Sequence, residues 1–141
     1  MRFILILALA VCVTLPVYAQ EEWTWESYSQ LLREHTRETE REGIPFVGVD
    51  YEAWANDPRY VGQMRTLHTS KAPDKAFPKE YLSYWLNMYN FLTIDLIIKQ
   101  QEKESIQNLG SFFSTPWEKH KWKFRNTKLT LKTIEDKIAS I

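Results

Sequence analysis

The chain has 141 residues, with 18 basic and 18 acidic side chains, 14% aromatic residues, six tryptophans and a single cysteine. A formal charge of zero provides no global field to draw in nucleic acid, and one cysteine excludes a disulfide framework. The four glycines, Gly43, Gly48, Gly62 and Gly110, are scattered, which excludes a glycine-rich loop that cradles phosphate.

Arg2, the apolar run from Phe3 to Leu15 and the small residues Val17 and Ala19 predict a signal peptide over residues 1–19, cut after Ala19. The mature chain is then exported, to the periplasm or the exterior. Loss of Arg2 leaves 17 basic against 18 acidic side chains, and loss of Cys12 removes the only thiol. About 120 residues remain, which suits one domain over 20–141.

Trp25 to Glu42 carries Trp25, Tyr28, Leu31, Leu32 and His35 at helical spacing, with Glu34–Arg37 and Glu38–Arg41 as outer-face pairs and Gly43 as a stop. Residues 44–48, with Pro45 and flanking glycines, read as a loop. Asp50 is placed to cap a short turn through Tyr51 and Trp54. Asp57-Pro58 predicts a helix from Pro58 to Thr69 that buries Val61, Met64 and Leu67.

After a loop from Ser70 to Pro78 comes a central helix over about 78–101, apolar on nearly every side, with Ser83, Asn87 and Asn90 aligned along it. This pattern predicts a helix buried all round, with both amides in the core. A transmembrane role is disfavoured, because Asp95 near mid-bilayer would cost about 2.5–3.5 kcal/mol. Ser105 caps a short turn ending at Gly110. Residues 121–131 alternate around Arg125-Asn126-Thr127 and predict a small hairpin, and Thr130 caps a last helix with the stripe Leu131, Ile134, Ile138 and Ile141. That stripe needs a partner, either the long helix or a further segment. The fold class is therefore α+β, predominantly α-helical.

Few constellations point to chemistry. His35, His68 and His120 lack metal-ligand spacing, so neither a metal nor another cofactor is expected. Buried amides without partners cost about 1–3 kcal/mol, which makes Asn87 and Asn90 either fold-fixing or pocket-lining residues. From Trp117 to Lys132 the residues Lys119, Lys121, Lys123, Arg125, Lys128 and Lys132 face one acid, Glu118, with Trp117, Trp122 and Phe124 between them. Such a segment can neutralise an anionic polymer while its aromatics stack, and for an exported chain an anionic glycan or lipid head group fits better than nucleic acid. A solvated hairpin with an aromatic inner face is the alternative.

The segment Tyr84-Trp85-Leu86-Asn87-Met88-Tyr89-Asn90, followed by Thr93, by Ser105-Ile106 and by Leu129-Thr130-Leu131 ahead of Ile134-Glu135, resembles the domain-of-unknown-function family 547, DUF547. The W-x-N-x-Y-N helix is its hallmark, and the resemblance runs from about Trp25 to the end. It marks Asn87, Asn90 and Glu135 as family positions. The resemblance also implies further strands with a cysteine-proline segment, and a histidine where this chain has Asp136. The expectation is thus a C-terminally truncated member, 20–141 being the N-terminal part of a DUF547-like domain. It would be non-catalytic, binding an anionic glycan or a protein partner through Asn87, Asn90, Lys121, Lys123 and Arg125. The alternative is a hydrolase-like enzyme with Glu135 or a histidine, His120 among them, as general base beside Asn87 and Asn90. A third possibility is a fragment whose last helix lacks cover.

Overall fold

The computed structural model describes residues 24–112 and 114–141; the expected signal peptide, its cleavage site and Cys12 lie outside them. The first helix, α1, is Glu26–His35, with Tyr28 and Leu31 buried as their spacing predicts. It stops well short of Glu42. The Thr36 hydroxyl donates to the Leu32 carbonyl at 2.7 Å and closes the last turn. The chain then enters β1, Thr36–Arg41, paired antiparallel with β2, Ile44–Val49, from Thr36 opposite Val49 to Arg41 opposite Ile44.

Glu42 and Gly43, at φ 55° and 79°, make a two-residue turn whose twist matches that of a hairpin. Two expectations are corrected here: residues 25–42 are not one helix, and 44–48 are a strand rather than a loop. The helical pairs go with them. Glu34 bonds to Arg59 and Arg37 to Asp50, at 2.9 and 3.3 Å.

Asp50 accepts from the Ala53 N–H at 3.0 Å and caps α2, Tyr51–Asn56. Asp57 accepts from the Arg59 N–H at 2.9 Å and caps α3, Pro58–Thr69, with proline at a first-turn position that needs no donor. The buried side of α3 is Tyr60, Gln63 and Leu67, with Met64 half-buried; Val61 is 55% exposed, against expectation. The helix is turned so that the Tyr60 hydroxyl reaches Asp95 and the Gln63 amide reaches the Thr24 carbonyl.

The long helix α4, Pro78–Gln100, ends where Gln101 adopts a left-handed φ of 53°. Tyr81, Tyr84, Trp85, Met88, Phe91, Leu92, Ile94, Asp95 and Leu96 are buried on it. Their arc meets α2 on one side and α6 on the other. The helix is not covered all round, however. Ser83, Leu86 and Asn90 are exposed and Asn87 is half-buried, so the expected core amides lie on the solvent face. The neighbouring elements cover only part of a helix whose apolar residues extend further. Among the described residues no helix is long and apolar enough to cross a membrane.

A 3₁₀ turn over Ile106–Leu109, capped by Ser105, leads to α5, Pro116–Lys119. Strands β3, Trp122–Phe124, and β4, Thr127–Leu129, form the expected hairpin. The Arg125 backbone N–H and its Nε anchor the turn to the His68 and Thr69 carbonyls at the end of α3. A reciprocal cap between Thr130 and Thr133 starts α6, Leu131–Ala139. Leu131 and Ile134 of the expected stripe pack back on α4 fully buried and Ile138 partly so, whereas Ile141, past the end of the helix, is 54% exposed. Helices dominate and the strands form two separate hairpins, so the fold is α+β and mostly helical.

Candidate functional site

The most constrained polar group is Asp95, which is fully buried on α4. Its carboxylate accepts from the Tyr60 hydroxyl at 2.5 Å and from Trp122 Nε1 at 2.6 Å, and Lys99 Nζ lies 2.9 Å away. One carboxylate thus joins α3, α4 and β3. Burial, followed by the hydrogen bond to Asp95, pushes the Tyr60 hydroxyl above its usual range, so it remains a donor. The sequence pattern marks Asp95 only as a charge that disfavours a membrane span and gives no sign of this node.

The β3–β4 hairpin presents two unlike faces. Trp122, Phe124 and Leu129 point inward and are buried, whereas Lys123 and Lys128 stand directly opposite each other on the outside. The expectation that Trp122 and Phe124 stack on a ligand is therefore corrected: the period of two that places lysines outside places the aromatics in the core. Trp117, half-buried, donates from Nε1 to the Tyr89 hydroxyl at 2.6 Å.

Beside the hairpin, Lys75, Tyr81, Lys128, Thr133, Asp136 and Lys137 line a cleft of about 440 Å³. Lys75 Nζ donates to Ser140 Oγ at 2.9 Å, and Lys137 Nζ sits 4.9 Å from the centre of the Trp85 ring. Asp136 is engaged by Lys132. Among the described residues no carboxylate forms an ion pair with Lys75, Lys121, Lys123, Arg125, Lys128 or Lys137.

The remaining sequence candidates fall elsewhere. Glu135, half-buried on α6, accepts from the Tyr89 hydroxyl at 3.0 Å, which ties α4, α5 and α6 through Trp117. Burial is the main reason the Tyr89 hydroxyl is raised above its usual range. His120 is half-buried and its Nε2 lies 3.4 Å from the Leu109 carbonyl. Asn90 lies about 180° round α4 from Tyr81, at 100° per residue. The amides and the lysine cleft are therefore on opposite sides of the helix.

A second cluster joins α1 to α3. His35 Nε2 is 2.9 Å from Asp57 Oδ2, and Arg59 donates to both Asp57 and Glu34. Glu34, His35 and Asp57 are ligand types for a divalent cation, and their atoms lie within 4.8 Å of one another. Arg59 already supplies the positive charge between the two carboxylates, so the chemistry of the cluster is that of an internal ion network.

The Arg59 side chain, then the His35 ring, hold the Asp57 carboxyl well below its usual range against the opposing effect of burial. A depressed folded pKa contributes stability that is complete above the unfolded value of about 3.9 and lost as pH falls below it. Urea unfolding between pH 6 and 2, in roughly half-unit steps, is expected to show that loss, and Asp57→Asn is expected to flatten it. Asp57→Ala also removes an N-cap worth about 0.5–2 kcal/mol.

Residues 73–140 match the family model described as Protein of unknown function, DUF547. This stretch belongs to the DUF547 family. No curated protein and no solved structure matches the chain. The DUF547 stretch holds Asn87, Asn90, Asp95, the β3–β4 hairpin and Glu135, while the His35–Asp57–Arg59 network and the β1–β2 hairpin precede it.

Proposed function

We propose that the mature chain acts outside the cytoplasm, after release from residues 1–19, as a binding domain for an anionic glycan. The DUF547 stretch would grip it through Lys121, Lys123, Arg125 and Lys128 and the adjoining cleft of Lys75 and Lys137. The observation that carries this reading is the Lys123–Lys128 pair. Like charges directly opposite on neighbouring strands are destabilising, and among the described residues no carboxylate pairs with either lysine. A sulfate or carboxylate from outside would.

Asn87 and Asn90 take no part in this surface. The sequence expectation that they share a face with the hairpin gives way to one that needs the basic side alone. The Lys75 and Lys137 ammonium groups lie over the Tyr81 and Trp85 rings, 5.5 and 4.9 Å from the ring centres, which holds both charges at the cleft.

The test uses retention on immobilised heparin, with thermal unfolding measured in parallel. Lys128→Glu creates an opposite-charge pair with Lys123, so it is expected to stabilise the fold by about 0.2–1 kcal/mol. The same change is expected to weaken heparin binding at least about fivefold, at roughly 1 kcal/mol for the lost basic residue, with the added carboxylate acting in the same direction. Unchanged retention by a stably folded variant refutes the proposal.

A further inference from the structure

We infer that the β1–β2 hairpin is a self-association edge, at which β2 pairs antiparallel with β2 of a second copy in a register centred on Val47. The inference is independent of glycan binding and uses residues on the other side of the sequence from the lysine cleft.

The hairpin is unusually bare. Ile44, Phe46 and Val47 are 67, 45 and 62% exposed. Two strands alone are marginally stable, and an exposed apolar strand invites a partner.

The ladder shows which backbone groups are open. The Asp50 N–H donates to the directly opposite His35 carbonyl at 2.8 Å, which sets the alternation of the pairing. Gly48, Phe46 and Ile44 then turn their backbone groups toward β1, and Pro45, Val47 and Val49 turn theirs outward. On β1 the outward positions are Thr36, Glu38 and Glu40. Charges on that edge resist strand addition, whereas Ile44–Val49 contains none.

Proline then selects the register. Pro45 lacks an N–H, so the open edge provides the donors of Val47 and Val49 and the acceptors of Pro45, Val47 and Val49. With Val47 opposite its twin, the two exchange both of their bonds, and each Val49 N–H meets the Pro45 carbonyl of the other copy. The missing proline donor falls at the end of the ladder. An identical strand therefore uses every donor the edge has.

The side chains agree with this register. It sets Phe46 across from Gly48 of the second copy, and a glycine there leaves room for the ring. A side chain at Gly48 would be tight even in the single chain, since an added Cβ comes within 3.2 Å of Thr39 Cγ2 and 3.7 Å of Phe46 Cε2. No charge meets a like charge across the seam, which is what pairing of two identical copies requires.

Sedimentation of the full chain over a concentration series tests this. The wild type is expected to pass from monomer to dimer as concentration rises. Val47→Pro removes only an outward donor and leaves the ladder to β1 intact, so it is expected to stay monomeric with an unchanged helical circular dichroism signal. Val47→Glu and Val47→Lys each oppose like charges at the two-fold axis and are expected to be monomeric alone, and dimeric when mixed. A wild type that sediments as a monomer throughout overturns the inference. So does a Val47→Pro variant that dimerises like the wild type, or a Glu and Lys mixture that remains monomeric.

Discussion

Replacing Asp95 with alanine is expected to cost about 3–5 kcal/mol, the range for breaking a buried charged network by removing one partner. The truncation leaves the Tyr60 hydroxyl and the Trp122 indole N–H facing a cavity without their acceptor, whereas the Lys99 ammonium, on a half-exposed side chain, can turn to water. Asp95→Asn is expected to be costly as well, because a carboxamide has one acceptor oxygen where the site offers two donors. Urea unfolding measures both. Tyr60→Phe removes only one hydrogen bond to a charged group, worth about 1.5–3 kcal/mol. The double variant Asp95→Ala/Tyr60→Phe is expected to cost less than the two single changes added together, since the second substitution removes a donor already orphaned by the first. Additive costs would show that the two groups do not share a bond.

Trp54 is expected to separate ring packing from hydrogen bonding. It is fully buried between α1 and α4, 6.1 Å from the Tyr28 ring and 5.9 Å from His35, yet its indole N–H has no acceptor among the described residues. Trp54→Ala opens a large cavity and is expected to cost about 3–5 kcal/mol. Trp54→Phe keeps most of the apolar ring and discards a donor whose burial without a partner costs about 1–3 kcal/mol, so the two effects largely offset. Its unfolding midpoint in urea is expected to stay close to that of the wild type. A large loss for the phenylalanine variant would show that the indole N–H does find an acceptor in solution.

Local signals were the legible ones. Asp50, Asp57, Ser105 and Thr130 all cap the helices or turns that follow them, because a cap is decided by a side chain and the backbone two or three residues away. The β3–β4 hairpin is equally local, and α4 starts without a side-chain cap at Pro78, a proline in the first turn that needs no donor. The α1 boundary failed because Thr36-Arg37-Glu38-Thr39-Glu40-Arg41 has charges at helical as well as strand spacing, and Glu42-Gly43 lacks the asparagine or aspartate that usually announces such a turn. Hydropathy favours Val61 over Tyr60 as a core residue, but only the tyrosine carries a hydroxyl that Asp95 can hold.

The candidate site was legible only in part. Lys121, Lys123 and Arg125 stand in solvent, whereas the apolar pattern puts Asn87 and Asn90 in a core that α4 does not form on that side. A strongly apolar helix gives no sequence sign of which arc its neighbours leave bare. Asp95 escaped notice because its donors come from 35 residues before it and 27 after it, beyond the reach of any spacing rule. Lys75 and Lys137 likewise meet Lys128 only through the folded path of the chain.

The Asp95 junction has a bearing on where this polypeptide can be cut. Three of its members, Asp95, Lys99 and Trp122, fall inside the span shared with the family, and the fourth, Tyr60, comes before it. A recombinant piece trimmed to residues 73–140 would inherit the acceptor and forfeit one of its donors, along with the aromatic wall that α1 and α3 lay against Phe91. The boundary recognised by ancestry and the boundary tolerated by physics therefore differ, and expression should begin upstream of α1.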